Sequence, residues 1–449
     1  MKKYLAIIFG VCLFSTNYAF TQLRSNSISF DTIAEKEISF IIQDKPTALL
    51  TMRQSNENSL SIYRLAINGL NKSFSSKKGM IAQLLLQSLF FMPLTHEEGH
   101  RSILTNEEIG AISRPYFNRN LAAYVTGVTD KTLIDLRNIN LPVAVRTYTG
   151  GLESDYNMLL RENSLLNFEQ ESMKVLWIEY FIRKFSMVSY YSIGLLKYNI
   201  NIEQESNELK RDIAGMDVYG AIRALHNPTM NFKRYVDYDD LLASERQFVK
   251  RVGWRSMINL IDPTLFMKKS IKINSTTSLN FNLGYSMSPF GDFIDEHFWI
   301  KTNKLKMHLY LRQFQNRTNW FPAFGGDIND IRPFKNVYTT LILHGWQQPT
   351  NLSFTEKKGD FGGAVDVLCK YRFNVKKKSH LSGISLNVGL IVKTQGFLTE
   401  EVEMDQHLGF RLGTSIWLKE YLFAAFYKLF EIKTAFNPKA KGSLKYKKN

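Results

Sequence analysis

The chain has 449 residues, 44% of them hydrophobic and 13% aromatic, which excludes wholesale disorder and leaves room for two domains or one large elaborated one. A formal net charge of +16 suggests nucleic acid as a partner first. The basic residues are scattered, however, apart from Lys376-Lys377-Lys378 and the tail between Lys439 and Lys448, and the N-terminal residues argue for export instead.

Lys2 and Lys3 precede a short apolar run from Leu5 to Phe14, followed by Ser15-Thr16-Asn17-Tyr18-Ala19. A basic start, a short apolar core and a small-residue end read as a secretory signal peptide over residues 1–19, and the run is too short to span a bilayer. Its removal takes Cys12 with it and leaves Cys369 as the remaining cysteine, so an internal disulfide is excluded and core burial must carry the stability. A large exported chain without disulfides fits a bacterial cell envelope, in the outer membrane or the periplasm. There the positive charge would face anionic lipid rather than nucleic acid.

Residues 20–265 read as a mainly helical domain. From about Lys78 to His226 the pattern is helical, with two dense apolar stretches, Met80 to Leu94 and Ser172 to Lys197. The first is short and the second is interrupted by Glu179, Arg183 and Lys184, so both are expected to be buried core helices rather than membrane spans. The first leads into His96-Glu97-Glu98-Gly99-His100, with Pro93 either kinking the helix or starting a new one. On a helix, side chains at i and i+4 share a face, so His96 and His100 can ligate one zinc ion. Glu97 beside them can act as a general base on the attacking water and return the proton to the leaving amine.

A third ligand is required. Asn207 to Gly215 offers Glu208 as that ligand, with Asp212 one helical turn later positioned to hold a histidine tautomer from behind. Glu153 is the rival, in Gly150-Gly151-Leu152-Glu153, where the glycines suggest a loop. His226 closes the helix expected to carry Glu208. It is a candidate for stabilising the oxyanion on a scissile carbonyl, against the plainer role of a favourable charge at a helix C-terminus.

From about Lys268 the period changes to two. Leu279, Phe281, Leu283 and Tyr285 alternate with polar residues, and so do Met307, Leu309 and Leu311, then Val365 to Phe373, Ile384 to Val392, and Phe410 to Ile416. Roughly six to eight half-buried strands are expected over residues 266–435. Ser288-Pro289-Phe290-Gly291 and Phe324-Gly325-Gly326-Asp327 are expected as the turns between them, and a basic tail over 436–449 as the end of the chain. The alternation suits a soluble antiparallel sheet and an outer-membrane barrel equally. The remaining histidines, His297, His308, His344, His380 and His407, show no ligand spacing. There is no Gly-rich phosphate loop, dinucleotide fingerprint or G-x-S-x-G elbow.

The helix with H-E-x-G-H and the downstream E-x-x-x-D-x-x-G resemble the gluzincin metallopeptidases, most closely the HtpX and CaaX-prenyl-protease type. The resemblance covers these two short motifs. It implies His96, His100 and Glu208 as zinc ligands, Glu97 as base and Asp212 as support for a histidine. Arg211 stands where a small residue is usual, and the β-rich half has no counterpart in that group. The expectation is therefore an α+β protein, with a helical zincin-like N-terminal half followed by an antiparallel β-sheet or β-barrel C-terminal half. It would be a zinc-dependent metallopeptidase acting on envelope or extracellular polypeptides. The alternative is a non-catalytic, barrel-associated envelope protein with a structural or assembly role.

Overall fold

The computed structural model describes residues 35–46, 50–73, 76–114, 123–199, 205–268, 270–375 and 381–419. The expected leader, the basic tail and Lys376-Lys377-Lys378 lie outside these residues.

The helical half is built on α1 (Met52–Ser73), α2 (Ser76–Leu86), α3 (Met92–Asn106), α4 (Asp130–Ile139), α5 (Leu141–Asn167), α6 (Met173–Ser192), α7 (Asp217–His226) and α8 (Ala243–Ser256). Local chemistry starts several of them. Thr129 accepts the Thr132 N–H ahead of α4, Asn140 accepts that of Val143 with Pro142 in the first turn of α5, and Glu245 reaches back to the Leu242 N–H at α8. A single π-turn, Gln87–Phe91, joins α2 to α3 and sits just ahead of Pro93. Pro93 therefore opens the motif helix after an irregular turn, because it cannot donate the backbone bond that would make the two helices continuous.

Of the two apolar stretches, α6 is the buried one. Its interrupting charges are paired inside: Arg183 with Glu179 at 2.7 Å and Asp155 at 2.5 Å, and Lys184 with Asp262 at 3.1 Å. The other stretch leaves Ile81, Leu85, Leu89 and Phe90 exposed, so it is only partly a core helix. Among the described residues no helix is long and apolar enough to cross a membrane.

The second half is one ten-stranded antiparallel sheet ordered β1-β12-β11-β10-β9-β8-β7-β6-β5-β4. Its strands are β1 (Glu35–Lys45), β4 (Ile271–Lys272), β5 (Ser278–Ser288), β6 (Gly291–Lys301), β7 (Lys306–Gln315), β8 (Trp320–Ile331), β9 (Val337–Pro349), β10 (Gly359–Asn374), β11 (Leu381–Lys393) and β12 (His407–Lys419); β2 (Ile112–Arg114) and β3 (Tyr124–Thr126) form a separate pair. From β4 to β12 the strands follow chain order as a meander. β1 comes from before the helices to pair with β12. Its Ile38 and Phe40 alternate with Glu37 and Ser39, a period-two signal that sequence reading passed over.

Ser288-Pro289-Phe290-Gly291 is a turn as expected, with Ser288 opposite Gly291. Phe324-Gly325-Gly326-Asp327 is not a turn. It lies inside β8, where a Cβ on Gly325 would sit 2.6 Å from the Tyr310 ring and 2.7 Å from His344 Nδ1. The glycine is there to let those two rings meet, not to bend the chain.

The alternation of the sheet is inverted relative to a soluble core. In β7 the inward set is His308, Tyr310, Arg312 and Phe314, while Leu309 and Leu311 point outward and are exposed. In β11 Ser385 and Asn387 are buried and Ile384, Leu386, Leu390 and Val392 are exposed. The register aligns these outward residues into rows across eight strands. Phe281 stands opposite Phe298, Phe298 opposite Leu309, Leu309 opposite Gly326, and Gly326 opposite Leu343; Leu343 then faces Val365, Val365 faces Val392, and Val392 faces Leu408. A second row on the same face runs from Leu279 through Ile300, Met307, Ile328, Leu341, Val367 and Leu390 to Phe410. Between the two rows the inward row runs through Asn280, Trp299, His308, Asp327, Ile342, Asp366 and Ile391, polar groups interleaved with apolar ones.

Candidate metal centre

The site forms where α3 crosses α5. Gly99 and Gly150 meet backbone to backbone, and a Cβ on Gly99 would lie 2.4 Å from the Gly150 carbonyl oxygen. Ser154 Oγ donates to the Thr95 carbonyl at 2.8 Å and ties the crossing down. Gly150-Gly151 is therefore the middle of a 27-residue helix rather than a loop. The glycines are a close-approach device, and they conceal the helix from propensity reasoning. Gly151 makes room for the motif: a Cβ there would come within 2.3 Å of His96 Nε2 and 2.5 Å of His100 Nε2.

Both imidazoles are held from behind. His96 Nδ1 lies 2.8 Å from Asp155 Oδ2, and His100 Nδ1 lies 2.7 Å from the Thr147 carbonyl oxygen. A carbonyl only accepts, so His100 Nδ1 carries a proton and Nε2 is the free ligand atom; Asp155 imposes the same tautomer on His96. Asp155 is itself fixed by Arg183, which also donates to Thr95 Oγ1 at 3.0 Å.

The two Nε2 atoms converge on Asp217, with Oδ2 at 3.3 Å from His96 and 3.4 Å from His100. His96, His100 and Asp217 form a group able to hold a metal ion, with their ligand atoms all within 4.8 Å of one another. A tetrahedral ion with bonds of roughly 2.0–2.1 Å separates its ligands by about 3.4 Å, so the spacing, the donor set and the space left by Gly151 all fit a divalent ion. The Asp217 N–H donates to the Tyr190 hydroxyl at 3.3 Å, and the Tyr190 ring lies 6.1 Å from that of His96.

Electrostatics follow from burial and from this pairing. Burial pulls the pKa of both histidines down, but the carboxylates outweigh it. His96 is raised well above its ordinary value by Asp155 and Asp217, and His100 is raised chiefly by Asp217. Burial alone would raise Asp217, yet His100 and His96 hold it below the ordinary carboxylate range. Glu97 is buried, and that pushes its pKa up to about 7 although His96 and His100 pull the other way. Glu98 is turned away toward Arg101, at 2.8 Å, and Ser113.

The structure brings His96, Glu97 and His100 together as expected, and it places the other sequence-derived candidates differently. Glu208 lies in a single 3-10 turn, Glu208–Lys210, and accepts the Asp130 N–H, with Arg234 3.7 Å away. Asn207 caps that short turn and the chain is extended again at Arg211, so the helix that would have put Glu208 and Asp212 on one face does not form. Asp212 is near the site but accepts the Val125 N–H at 3.1 Å, while Asp155 is the carboxylate behind His96. Burial, with Glu97 and Asp217 nearby, raises Asp212 well above the ordinary carboxylate range.

Glu153 is buried against Arg146 at 2.7 Å and accepts the Glu400 N–H. His226 sits nine residues beyond Asp217, at the opposite end of α7, roughly 13 Å along the axis. It packs there on Phe248 and Phe354, so it does not lean over the histidines. Asp217 was the carboxylate that sequence reading missed as a candidate ligand. Its signal was the buried helical series Val218, Ala221, Ile222 and Leu225, which begins after Asp217 and makes it the acidic first-turn residue of a helix.

No family model, curated protein or solved structure matches the chain.

Proposed function

We propose that this chain is a zinc-dependent metallopeptidase of the exported cell envelope, with His96, His100 and Asp217 as ligands and Glu97 as general base. The observation that carries the reading is the convergence of two Nε2 atoms of fixed tautomer on one carboxylate, with a buried glutamate next to them on the same helix. Two imidazoles and a carboxylate form the donor set that zinc favours in hydrolytic sites. A divalent ion held there supplies Lewis-acid polarisation of a scissile carbonyl and of the attacking water.

The chain's own residues do the rest. Glu97, with a pKa near 7, takes the water proton on its carboxylate and delivers it to the departing amine nitrogen. Asp155 and the Thr147 carbonyl keep the imidazoles oriented, and Arg183 holds Asp155 in place. Burial of the site excludes bulk water and strengthens these interactions. The resemblance of the H-E-x-G-H helix to gluzincins makes the peptide bond of an envelope or extracellular polypeptide the proposed substrate.

The test is metal content by elemental analysis of purified protein, wild type beside Asp217→Ala and Glu208→Ala. About one zinc per chain, lost in Asp217→Ala and kept in Glu208→Ala, is expected. Glu97→Gln is expected to keep its zinc while losing about 10²–10⁴-fold in hydrolysis of a peptide library. Failure of the wild type to take up zinc on incubation would sink the enzyme reading. The second reading, a barrel-associated structural protein, is favoured by the inverted sheet and would then stand.

A further inference from the structure

Among the described residues, the outward face of the sheet leaves Leu309, Leu343, Val365, Leu390, Val392 and Leu408 exposed. Two register rows, from Phe281 to Leu408 and from Leu279 to Phe410, carry a glycine and otherwise apolar side chains across eight neighbouring strands. Leu343 is 48% exposed, Val392 59% and Leu408 70%. In water, rows of this length would be an aggregation liability rather than a neutral surface.

The inner face shows that the sheet is curled. Glu37, Tyr310, Asp327, His344, Lys370 and Arg411, from six different strands, line one cavity of about 550 Å³. The charges there are met internally, as between Lys370 and Glu37 at 2.6 Å and between Arg411 and Asp366. A wall that bends around an interior of paired charges and buried aromatic rings such as Phe293 and Phe314 turns its apolar rows outward in many directions. A second copy of the chain would cover one side of such a wall, whereas a fluid apolar phase covers all of it.

Strand length fits the same occupant. An eleven-residue strand such as β6, at roughly 3.3 Å per residue and a tilt near 45°, rises about 26 Å, close to the apolar height of a bacterial outer-membrane barrel. Closed or shielded sheets and helices are the structures that cross a bilayer, and no described helix is long and apolar enough to do so.

We infer that β5–β12 form a lipid-embedded wall, with the rows through Leu343 and Val392 facing the acyl chains and the charged inner face enclosed by the protein itself. The inference does not rest on the metal centre. The experiment uses the full chain carrying Cys12→Ser and Cys369→Ser, with one fluorophore-labelled cysteine at Leu343→Cys, Val392→Cys or Lys131→Cys, the last being an exposed position on α4. Each is reconstituted into phosphatidylethanolamine–phosphatidylglycerol vesicles doped with brominated lipid.

Brominated lipid is expected to remove most of the emission at Leu343→Cys and Val392→Cys and little at Lys131→Cys, with aqueous iodide giving the reverse. Glu97→Gln added to each variant should change nothing, which separates this result from the fate of the enzyme reading. Iodide reaching the two row positions as readily as Lys131→Cys would overturn the inference. So would shielding of the rows through self-association in detergent-free buffer. The unlabelled wild-type chain provides a check independent of the substitutions: it should stay with cell membranes through an alkaline carbonate wash, and its release as soluble folded protein would also overturn the inference.

Discussion

The helical half and the sheet half solve the same burial problem in opposite ways. In the helices, apolar side chains point inward, and several of the charges that enter the core are paired at short range, as in Arg183 with Glu179 and Asp155. In the sheet, charged and hydrogen-bonding residues point inward beside aromatic rings such as Phe293 and Phe314, and rows of leucine, valine and isoleucine point out. On the lipid-embedded inference, what differs is the medium each outer surface meets, and a single charged side chain is therefore informative in opposite places.

The sharpest way to test that contrast is to remove a charge from one half and add one to the other. Arg183→Met leaves Glu179 and Asp155 buried without their partner and is expected to cost about 3–5 kcal/mol, read as a loss of unfolding free energy in detergent. Leu343→Arg puts a charge into the outward row and is expected to cost about 2–4 kcal/mol in a bilayer. On a water-facing surface the same change would be close to neutral, so a negligible cost at Leu343 would break the comparison.

A smaller effect is expected at the metal centre. Asp155→Asn keeps a hydrogen-bond partner for His96 Nδ1 but removes the charge that fixes the ring as a donor, and it should weaken zinc affinity by about 10–100-fold. Competition with a chromogenic chelator measures it, and unchanged affinity would remove Asp155 from the site. Because the carboxylates raise both histidines above their ordinary values, protons compete with the metal at higher pH than usual. Zinc affinity should therefore fall as pH drops toward and below neutrality.

The smallest expected effect lies at His226. Burial lowers its pKa to about 4, against roughly 6.5 unfolded. Between these values the unfolded chain binds the proton and the folded chain does not. Its contribution is thus intact above pH 6.5, declines as pH falls through the window to about 4, and is level below it. His226→Asn should flatten that part of the stability–pH curve without touching zinc content.

Much of the chain was legible before folding. The His96–His100 pair was readable because a helix puts i and i+4 on one face whatever surrounds it. β5, β7, β10, β11 and β12 were readable because alternation is a local property, whereas β6 and β9 were passed over and β8 was broken by the turn expected at Phe324-Gly325-Gly326-Asp327. The third ligand was not readable. Glu208 and Asp212 had the right spacing for a helix, but the chain there makes one 3-10 turn, and the carboxylate that meets the histidines came from the next helix, Asp217. The Gly150-Gly151 pair misled for a similar reason: glycine suggests a loop locally and a close helix crossing only when the other helix is in view.

The sequence by itself determined the two imidazoles that share a helix face, the glutamate beside them, the division into helical and β halves, and the two faces of β5, β7, β10, β11 and β12. Those features depend on neighbours within a turn or a strand. Only the tertiary structure decided which carboxylate meets the histidines, which holds them from behind, that β1 seals against β12, and which face of the sheet looks inward. Each of these depends on residues tens to hundreds of positions apart being brought within a few ångströms, and periodicity carries no information about such distances.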